Sequence, residues 1–543
     1  MTNSIEEFAN AECIFVIGSN TTEAHPVISY YMKQAVKKGA LLIVNDPRNI
    51  DLTRWATHHV AMKPGTDVAY LNGLMREIIQ NNWHDKAFIE KNTEKFEELR
   101  STVESYTLEK TANITGVPEK TIVEVSRLLG AAKMVTLAYT LGITEHTSGV
   151  DNVRSCANLQ LLLGNIGQPS GGVNPLRGQN NVQGACDIGA LPDVFPGYLK
   201  VNDQEAIKTF ENAWGVKLDN KIGKVMPEML SGCISGDTRA LYIYGENLAL
   251  SEPNLHHTRE CLEKCEFIVV SDIFQNDTSQ YADVVLPDLS WAEEDGTFTN
   301  TERRVQRVRS ALKPPDEARS HWKVMNELSQ RMGKDLGLVS PEQMYNEIRE
   351  LIPSYKGITW ERIENCGIQW PCPTVDHPGT PILHRNGHFS RGKGLFAGVE
   401  YRPPAEIPNE EYPFYLSTGR RLWHYHTVQT HHCVSFDELF AEELLEIHPA
   451  DAKKLDIATG DLVQVISRRG SIKLKAWVTN RSREGICWTT FHFPEVRTND
   501  VTNDALDPIS STAEYKVCAI RVEKLSDGSV SKNAPIQWRS NRP

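Results

Sequence analysis

Cys13-Ile14-Phe15-Val16-Ile17-Gly18-Ser19-Asn20 is the stretch that decides the architecture of this chain. Five consecutive apolar residues make a strand buried on both faces, because a strand with one wet face would alternate. The run stops at a glycine, which lets the chain turn tightly as it leaves a strand. A helix is expected next: Pro26 sits near its first turn, Val27, Ile28, Tyr31, Met32, Ala35 and Val36 share one apolar face, and Gly39 ends it. A second buried strand, Leu41–Val44, runs into Asn45-Asp46-Pro47-Arg48. Strand, glycine turn, helix, strand and carboxylate make the pattern of a βαβ nucleotide-binding unit. The GxGxxG spacing is absent, which disfavours ordinary NAD binding.

The same pattern returns at Leu241–Tyr244, ahead of Gly245-Glu246-Asn247, and at Phe267–Val270, ahead of Ser271-Asp272. The follow-on strands correspond too. His59–Met62 precedes Lys63-Pro64-Gly65-Thr66-Asp67, and Val284–Leu286 precedes Pro287-Asp288. Any two βαβ units share a general likeness. Either that accounts for the match, or the chain carries two related nucleotide sites facing each other. On the second reading Asp46 and Asp272 accept from ribose hydroxyls or a guanine edge. Between the copies, a helix over Lys120–Leu129 is capped by Gly130, and a strand, Met134–Tyr139, leads to Gly142-Ile143-Thr144-Glu145-His146-Thr147. A long helix from about Asp151 to Leu163 ends at Gly164-Asn165.

That helix delivers the chain into Val173-Asn174-Pro175-Leu176-Arg177-Gly178-Gln179-Asn180-Asn181-Val182-Gln183-Gly184. With Gly172, the stretch holds one cation, five side-chain amides and three glycines, and no carboxylate or aromatic ring. A Gly/Asn cluster is commonly a polar surface loop. The scarcity of Ser, Lys and Glu favours a ligand loop instead, in which amides supply neutral donors and acceptors and one guanidinium forks a small anion. The bland reading of Arg177 itself is a pairing with an acid such as Asp187 or Asp193.

At 543 residues the chain exceeds one core. Its 24% charged and 40% hydrophobic residues describe an ordinary globular protein, and a formal charge of −12 argues against nucleic acid. No apolar run approaches a membrane span, and the first residues show no signal peptide. Eleven cysteines without a disulfide framework suit a reducing, cytoplasmic setting. Cys261 and Cys265 stand one helical turn apart, as buried helix residues rather than zinc ligands.

From Tyr412 onward short strands lie close together: Phe414–Leu416, Leu462–Ile466, Ile472–Val478, Gly485–Thr490 and Val517–Val522. They read as a mainly β domain, a barrel. Its loops carry Ser417-Thr418-Gly419-Arg420-Arg421, His424-Tyr425-His426 and His431-His432-Cys433. These histidines lack the paired spacing of a zinc cage, and hydrogen bonding to an anion beside Arg420 and Arg421 is the preferred role. The expected class is α/β, with two related βαβ-type nucleotide-binding domains and a C-terminal β-barrel. The expected domains are 1–178 and 179–320, a connector at 321–411 rich in Pro and Gly from Pro371 to Pro413, the barrel at 412–525, and a tail at 526–543.

With these residues in view, the chain resembles the catalytic subunit of molybdenum- or tungsten-dependent formate dehydrogenases, in the dimethyl sulfoxide reductase superfamily. The resemblance runs through IGSNTTEAHP, NDPR, GITEHTSGVDNVRS, GVNPLRGQNNVQGACDIGALPDVFPGY, the YGEN/SDIF pair, STGRR and EYKVCAIRVE. It implies a double-psi barrel and one metal, Mo or W, held between two molybdopterin guanine dinucleotides. Gly18, Asn20, Glu23, Asp46, Arg48 and Lys63 match the first dinucleotide site, Gly142 and Glu145 match the loop near the pterin, and Gln179 is expected among the cofactor-binding residues. The position of Glu145 is often Gln in the family. Gly245, Asn247 and Asp272 resemble the second site, while Arg420, His424, Tyr425, His426, Asn499 and Lys516 match the closing domain. Arg177 matches the active-site arginine, which grips formate while its C–H faces the metal centre.

The resemblance also implies CO₂ as product or substrate and iron–sulfur electron-transfer partners in anaerobic respiration. The family's four-cysteine [4Fe–4S] run and its Cys or selenocysteine metal ligand have no counterpart in these residues. The ligand is therefore expected upstream of Met1, through a selenocysteine codon read as a stop, a frameshift or separate subunits, with this chain inactive alone. Rival readings are a molybdopterin oxidoreductase acting on nitrate or a similar oxyanion, and a cofactor-free scaffold like the large subunit of respiratory NADH dehydrogenases.

Overall fold

The opening apolar run forms strand β1 (Cys13–Ile17), and all five residues are buried. Side chains alternate across a strand, so the run feeds two cores. Cys13, Phe15 and Ile17 pack with Tyr70, Leu71 and Leu74, and with Leu159 and Leu162. Ile14 and Val16 pack on the opposite side with Phe8, Ile28, Met32, Leu42 and Val44. The expected helix is α1 (Pro26–Lys37). Beside β1 lie β2 (Leu41–Asn45), β3 (His58–Val60), β4 (Val135–Tyr139) and β5 (Val173–Pro175), in the all-parallel order β3-β2-β1-β4-β5. Helices α2 (Asp67–Gln80) and α3 (Gly149–Leu162) supply the covering face of the first core.

The computed structural model describes residues 1–315, 317–425, 430 and 433–526. His426, His431, His432 and the segment beyond residue 526 lie outside them. The chain divides into two units. Among the described residues the first comprises Met1–Leu176, Ala249–Thr258 and 382–526; the second comprises Arg177–Leu248 and Arg259–Pro381.

In the second unit β6 (Ala240–Tyr244), β7 (Phe267–Asp272) and β8 (Val284–Pro287) form a parallel sheet in the order β8-β7-β6. The two copies share a turn at atomic detail. Gly18, at φ +56°, donates its N–H to Asn45 O at 3.0 Å, and Gly245, at φ +62°, donates to Ser271 O at 2.9 Å. An antiparallel hairpin, Gly296–Thr299 with Arg304–Val308, follows. The stretch 321–411 contains two helices, His321–Arg331 and Pro341–Leu351, and its Tyr345, Ile352, Tyr355, Ile358 and Ile363 form a small core with Val305 of the hairpin. Cys261 and Cys265 are both buried, as their spacing predicts.

The C-terminal part of the first unit is a closed six-stranded barrel. It is built from β9 (Phe414–Thr418), β10 (Leu444–Ile447), β11 (Leu462–Ile466), β12 (Ser471–Val478), β13 (Ile486–Thr489) and β14 (Cys518–Lys524). The order round the barrel is β9-β13-β10-β12-β11-β14, with β9/β13 and β10/β12 parallel and the other pairs antiparallel, as in a double-psi barrel. Leu445, Ile447, Val463, Val465, Ile472, Leu474, Cys518 and Ile520 fill its interior. Five of the six strands are expected from sequence; β10 is the addition. Among the described residues no helix is long and apolar enough to cross a membrane.

Candidate cofactor and substrate sites

In the first unit, chemistry gathers where the parallel strands β1 and β4 end, the edge at which such sheets bind ligands. Gly18 and Gly142 touch backbone to backbone. The Gly142 N–H donates to Gly18 O at 3.1 Å, and a Cβ on Gly18 would lie 2.6 Å from the Gly142 carbonyl carbon. Two residues on, Asn20 has both side-chain atoms buried with no hydrogen-bond partner among the described residues, and Thr22 Oγ1 is in the same state. Unpaired buried amides are costly, and a polar ligand drawn against bare backbone satisfies them.

Asp46 follows β2 and is buried, its Oδ1 accepting from the Arg48 N–H at 2.9 Å. Burial pushes its carboxyl up, opposed by Arg48 and His59 and assisted by Glu23. Arg48 lies over the Trp488 ring at 3.5 Å and pairs with Glu446 at 2.7 Å. Glu446 is fully buried and also takes Arg421 at 3.2 Å, while Arg481 holds Glu23. Arg48 and Glu23, both expected at the dinucleotide, are thus fastened to barrel residues. Lys63 is exposed and lies along Gly116, with its Nζ 3.5 Å from Asn113 O.

Around the barrel loops, Glu145 and Lys516 form an ion pair at 2.6 Å. The half-buried Arg420 guanidinium sits 5.1 Å from the Tyr425 ring centre, and burial lowers its pKa. His424 is buried, with Nε2 2.7 Å from Phe440 O and its ring stacked on His492 at 4.2 Å. Asn499 donates to Leu250 O and Ser251 O at 3.0 and 2.9 Å, so its amide ties the Ala249–Thr258 stretch to the barrel.

The second unit holds the rest of the expected set. Asn247 Oδ1 accepts from the Thr278 N–H and hydroxyl, and its Nδ2 donates to Asp277. Asp272 accepts from the Ile273 N–H at 2.7 Å and Asn276 Nδ2 at 2.8 Å, and burial pushes its carboxyl up. Arg177 and Gln179 are exposed, and the Arg177 N–H donates to Thr301 Oγ1 at 3.1 Å. Neither acid considered as an ion-pair partner takes Arg177: Asp187 accepts from four neutral donors and Asp193 pairs with Lys200.

Two features escape the motif reading. Asp67, at the start of α2, is buried, and its carboxyl is pushed up to about 7 by burial, with Asp46 adding to the rise. Its signal is the Pro-Gly-Thr-Asp ending just before an amphipathic helix. The other is the Arg48–Glu446–Arg421 cluster, which joins residues from distant stretches and leaves no local spacing.

Residues 1–331 match the family described as molybdopterin oxidoreductase, and residues 414–519 match the molydopterin dinucleotide binding domain. The chain belongs to the molybdopterin oxidoreductases. Within them it belongs with the catalytic alpha subunits of the formate dehydrogenase family. It is 45% identical over 530 residues to the F420-dependent formate dehydrogenase subunit alpha of Methanocaldococcus jannaschii, covering 97% of this chain and 78% of that one. It is 38% identical over 535 residues to formate dehydrogenase H of Escherichia coli, covering 97% and 75%. The acetylene hydratase structure from Pelobacter acetylenicus shares the fold at TM-score 0.73 and 20% identity, covering 95% of this chain and 78% of that chain.

Proposed function

We propose that this chain serves formate oxidation, or the reverse reduction of CO₂, at a molybdenum or tungsten centre carried by two molybdopterin guanine dinucleotides. The observation that carries the reading is Asn20, whose buried amide has neither atom partnered among the described residues, beside the Gly18–Gly142 backbone contact. A dinucleotide's phosphates suit such a cradle, since bare backbone and an amide hold anions without a competing charge. Gly18, Asn20, Gly142 and Asp46 would hold one dinucleotide, with Arg420 and the Glu145–Lys516 pair on its pterin side. Gly245 and Asp272 would serve the other. When bound, the group supplies two-electron redox chemistry.

The chain's own contribution is position and field. Arg177 would meet both oxygens of a small carboxylate through a planar fork. That fixes the substrate's orientation, the larger part of what a protein can add to such a reaction. Iron–sulfur proteins are the expected electron partners, and the free cysteines suit a cytoplasmic setting. In the holoenzyme, Arg177→Lys should lose roughly 100-fold in kcat/KM while keeping its pterin, because a point charge replaces a fork. Near-normal formate turnover would remove Arg177 from the substrate site.

A further inference from the structure

Asp187 ends the short helix Val182–Asp187, which follows the Arg177 loop directly. Its carboxylate is 1% exposed and receives four neutral donors. Gln183 Nε2 and Tyr198 OH reach Oδ1, each at 2.8 Å. Tyr355 OH and Trp370 Nε1 reach Oδ2 at 2.5 and 2.7 Å. Among the described residues no Lys or Arg makes an ion pair with it. Such a carboxylate fixes the relative places of every group that donates to it.

Tyr355 and Trp370 stand 168 and 183 positions along the chain from Asp187. They tie the loop to the rest of its unit, and the same frame grips it at two further points. Arg177 donates its N–H to Thr301 Oγ1 at 3.1 Å, and Asn181 Oδ1 accepts from the Thr299 N–H at 2.9 Å. Thr299 Oγ1 in turn lies 3.1 Å from Tyr355 OH. The loop is therefore pinned at its start by Thr301, and at its middle and end by one connected set of bonds through Thr299 and Tyr355. Burial pushes the Tyr198 hydroxyl up and Asp187 adds to the rise, while Arg177 pulls the other way, so both charges act on one phenol.

We propose that Asp187 is a positioning residue for Arg177, presenting the guanidinium to a small planar anion in one orientation. The proposal rests on Arg177 as the substrate grip. It adds that the grip's precision is set by the Asp187 cage, principally Tyr355 and Trp370. Asparagine at 187 would turn an amide N–H₂ toward donors, whereas phenylalanine at 355 removes one donor and keeps shape and charge.

The test measures formate kcat and KM, the inhibition constant of nitrate as a planar oxyanion, and pterin content. It uses holoenzyme carrying Tyr355→Phe, Asp187→Asn, both changes together, or Arg177→Lys. Tyr355→Phe should raise KM and the nitrate constant roughly 10-fold, with kcat and pterin content within about 2-fold, because displacement of a positioned group weakens the grip. The double variant should be no worse than Asp187→Asn alone, since both changes break the same device. Unchanged KM in both single variants, with a raised KM in Arg177→Lys, overturns the positioning role and leaves Arg177 in place. Additive losses, or pterin loss at unchanged KM, show a fold support and also overturn it. An unchanged KM in Arg177→Lys removes the substrate grip and this inference with it.

Discussion

Gly18 shows how much one missing side chain decides. Its φ of +56° strains any other residue, and a Cβ there would meet Gly142 backbone, which has no rotamer to move. Gly18→Ala should cost about 1–2 kcal/mol for the left-handed conformation alone and lower pterin content further through the clash, as thermal melts and pterin assays can check. Asp67 makes a different prediction. Burial raises its pKa from 3.8 to about 7, so the folded protein holds that proton more tightly than the unfolded chain does. Stability therefore falls as pH climbs through that interval and levels off above it. In cofactor-free protein, Asp67→Asn should remove this loss, on the order of 4 kcal/mol at pH 8 and little at pH 4. Equal melting shifts at both pH values would refute it. At this scale the motifs place residues well, but not their partners. Asn20, Asn247 and Asn499 look alike as letters, yet the Asn20 side chain has no partner among the described residues while the other two are engaged by Thr278 and by the Leu250 and Ser251 carbonyls.

Among the elements, those that sequence shows best have an uninterrupted pattern. β1, β2, β11 and the helices α1 and α3 fall within about two residues of their expected limits, because apolar periodicity records burial directly. β10 is invisible for the opposite reason. Ala441-Glu442-Glu443-Leu444-Leu445-Glu446-Ile447 is rich in helix formers, and pairing with β12 overrides that preference. Glu446 on this strand is held charged. Burial would raise its pKa, but Arg48, Arg421 and Arg481 together keep it below the ordinary glutamate range. The stabilisation is present above the unfolded chain's pKa and is lost as pH falls through the lower folded value. Glu446→Gln should cost about 3–5 kcal/mol in denaturant unfolding near neutral pH, since it strands buried guanidiniums. A cost under about 1 kcal/mol would mean that water or neighbouring carboxylates replace it.

On the scale of the whole molecule, the duplication makes the sharpest claim. If both βαβ copies hold nucleotide, Asp46→Ala and Asp272→Ala should each lower pterin and metal content while leaving the fold intact. Full occupancy in either variant would make that copy a bare structural unit. Family, fold class and barrel are legible because each rests on local runs. The interleaving of the two units is not. Ala249–Thr258 joins the first unit through bonds from Asn499 and Tyr515 to carbonyls about 250 positions away, and no spacing records a bond of that reach.

The Arg48–Glu446 pair has a consequence in time as well as in space. Its members are 398 positions apart in the chain. At a synthesis rate of roughly 5–20 residues per second, Arg48 leaves the ribosome about 20–80 s before its partner. For that interval the first parallel sheet can form while its arginine has no glutamate to meet. The nascent chain must keep that surface wet or shielded until the last quarter of the protein emerges.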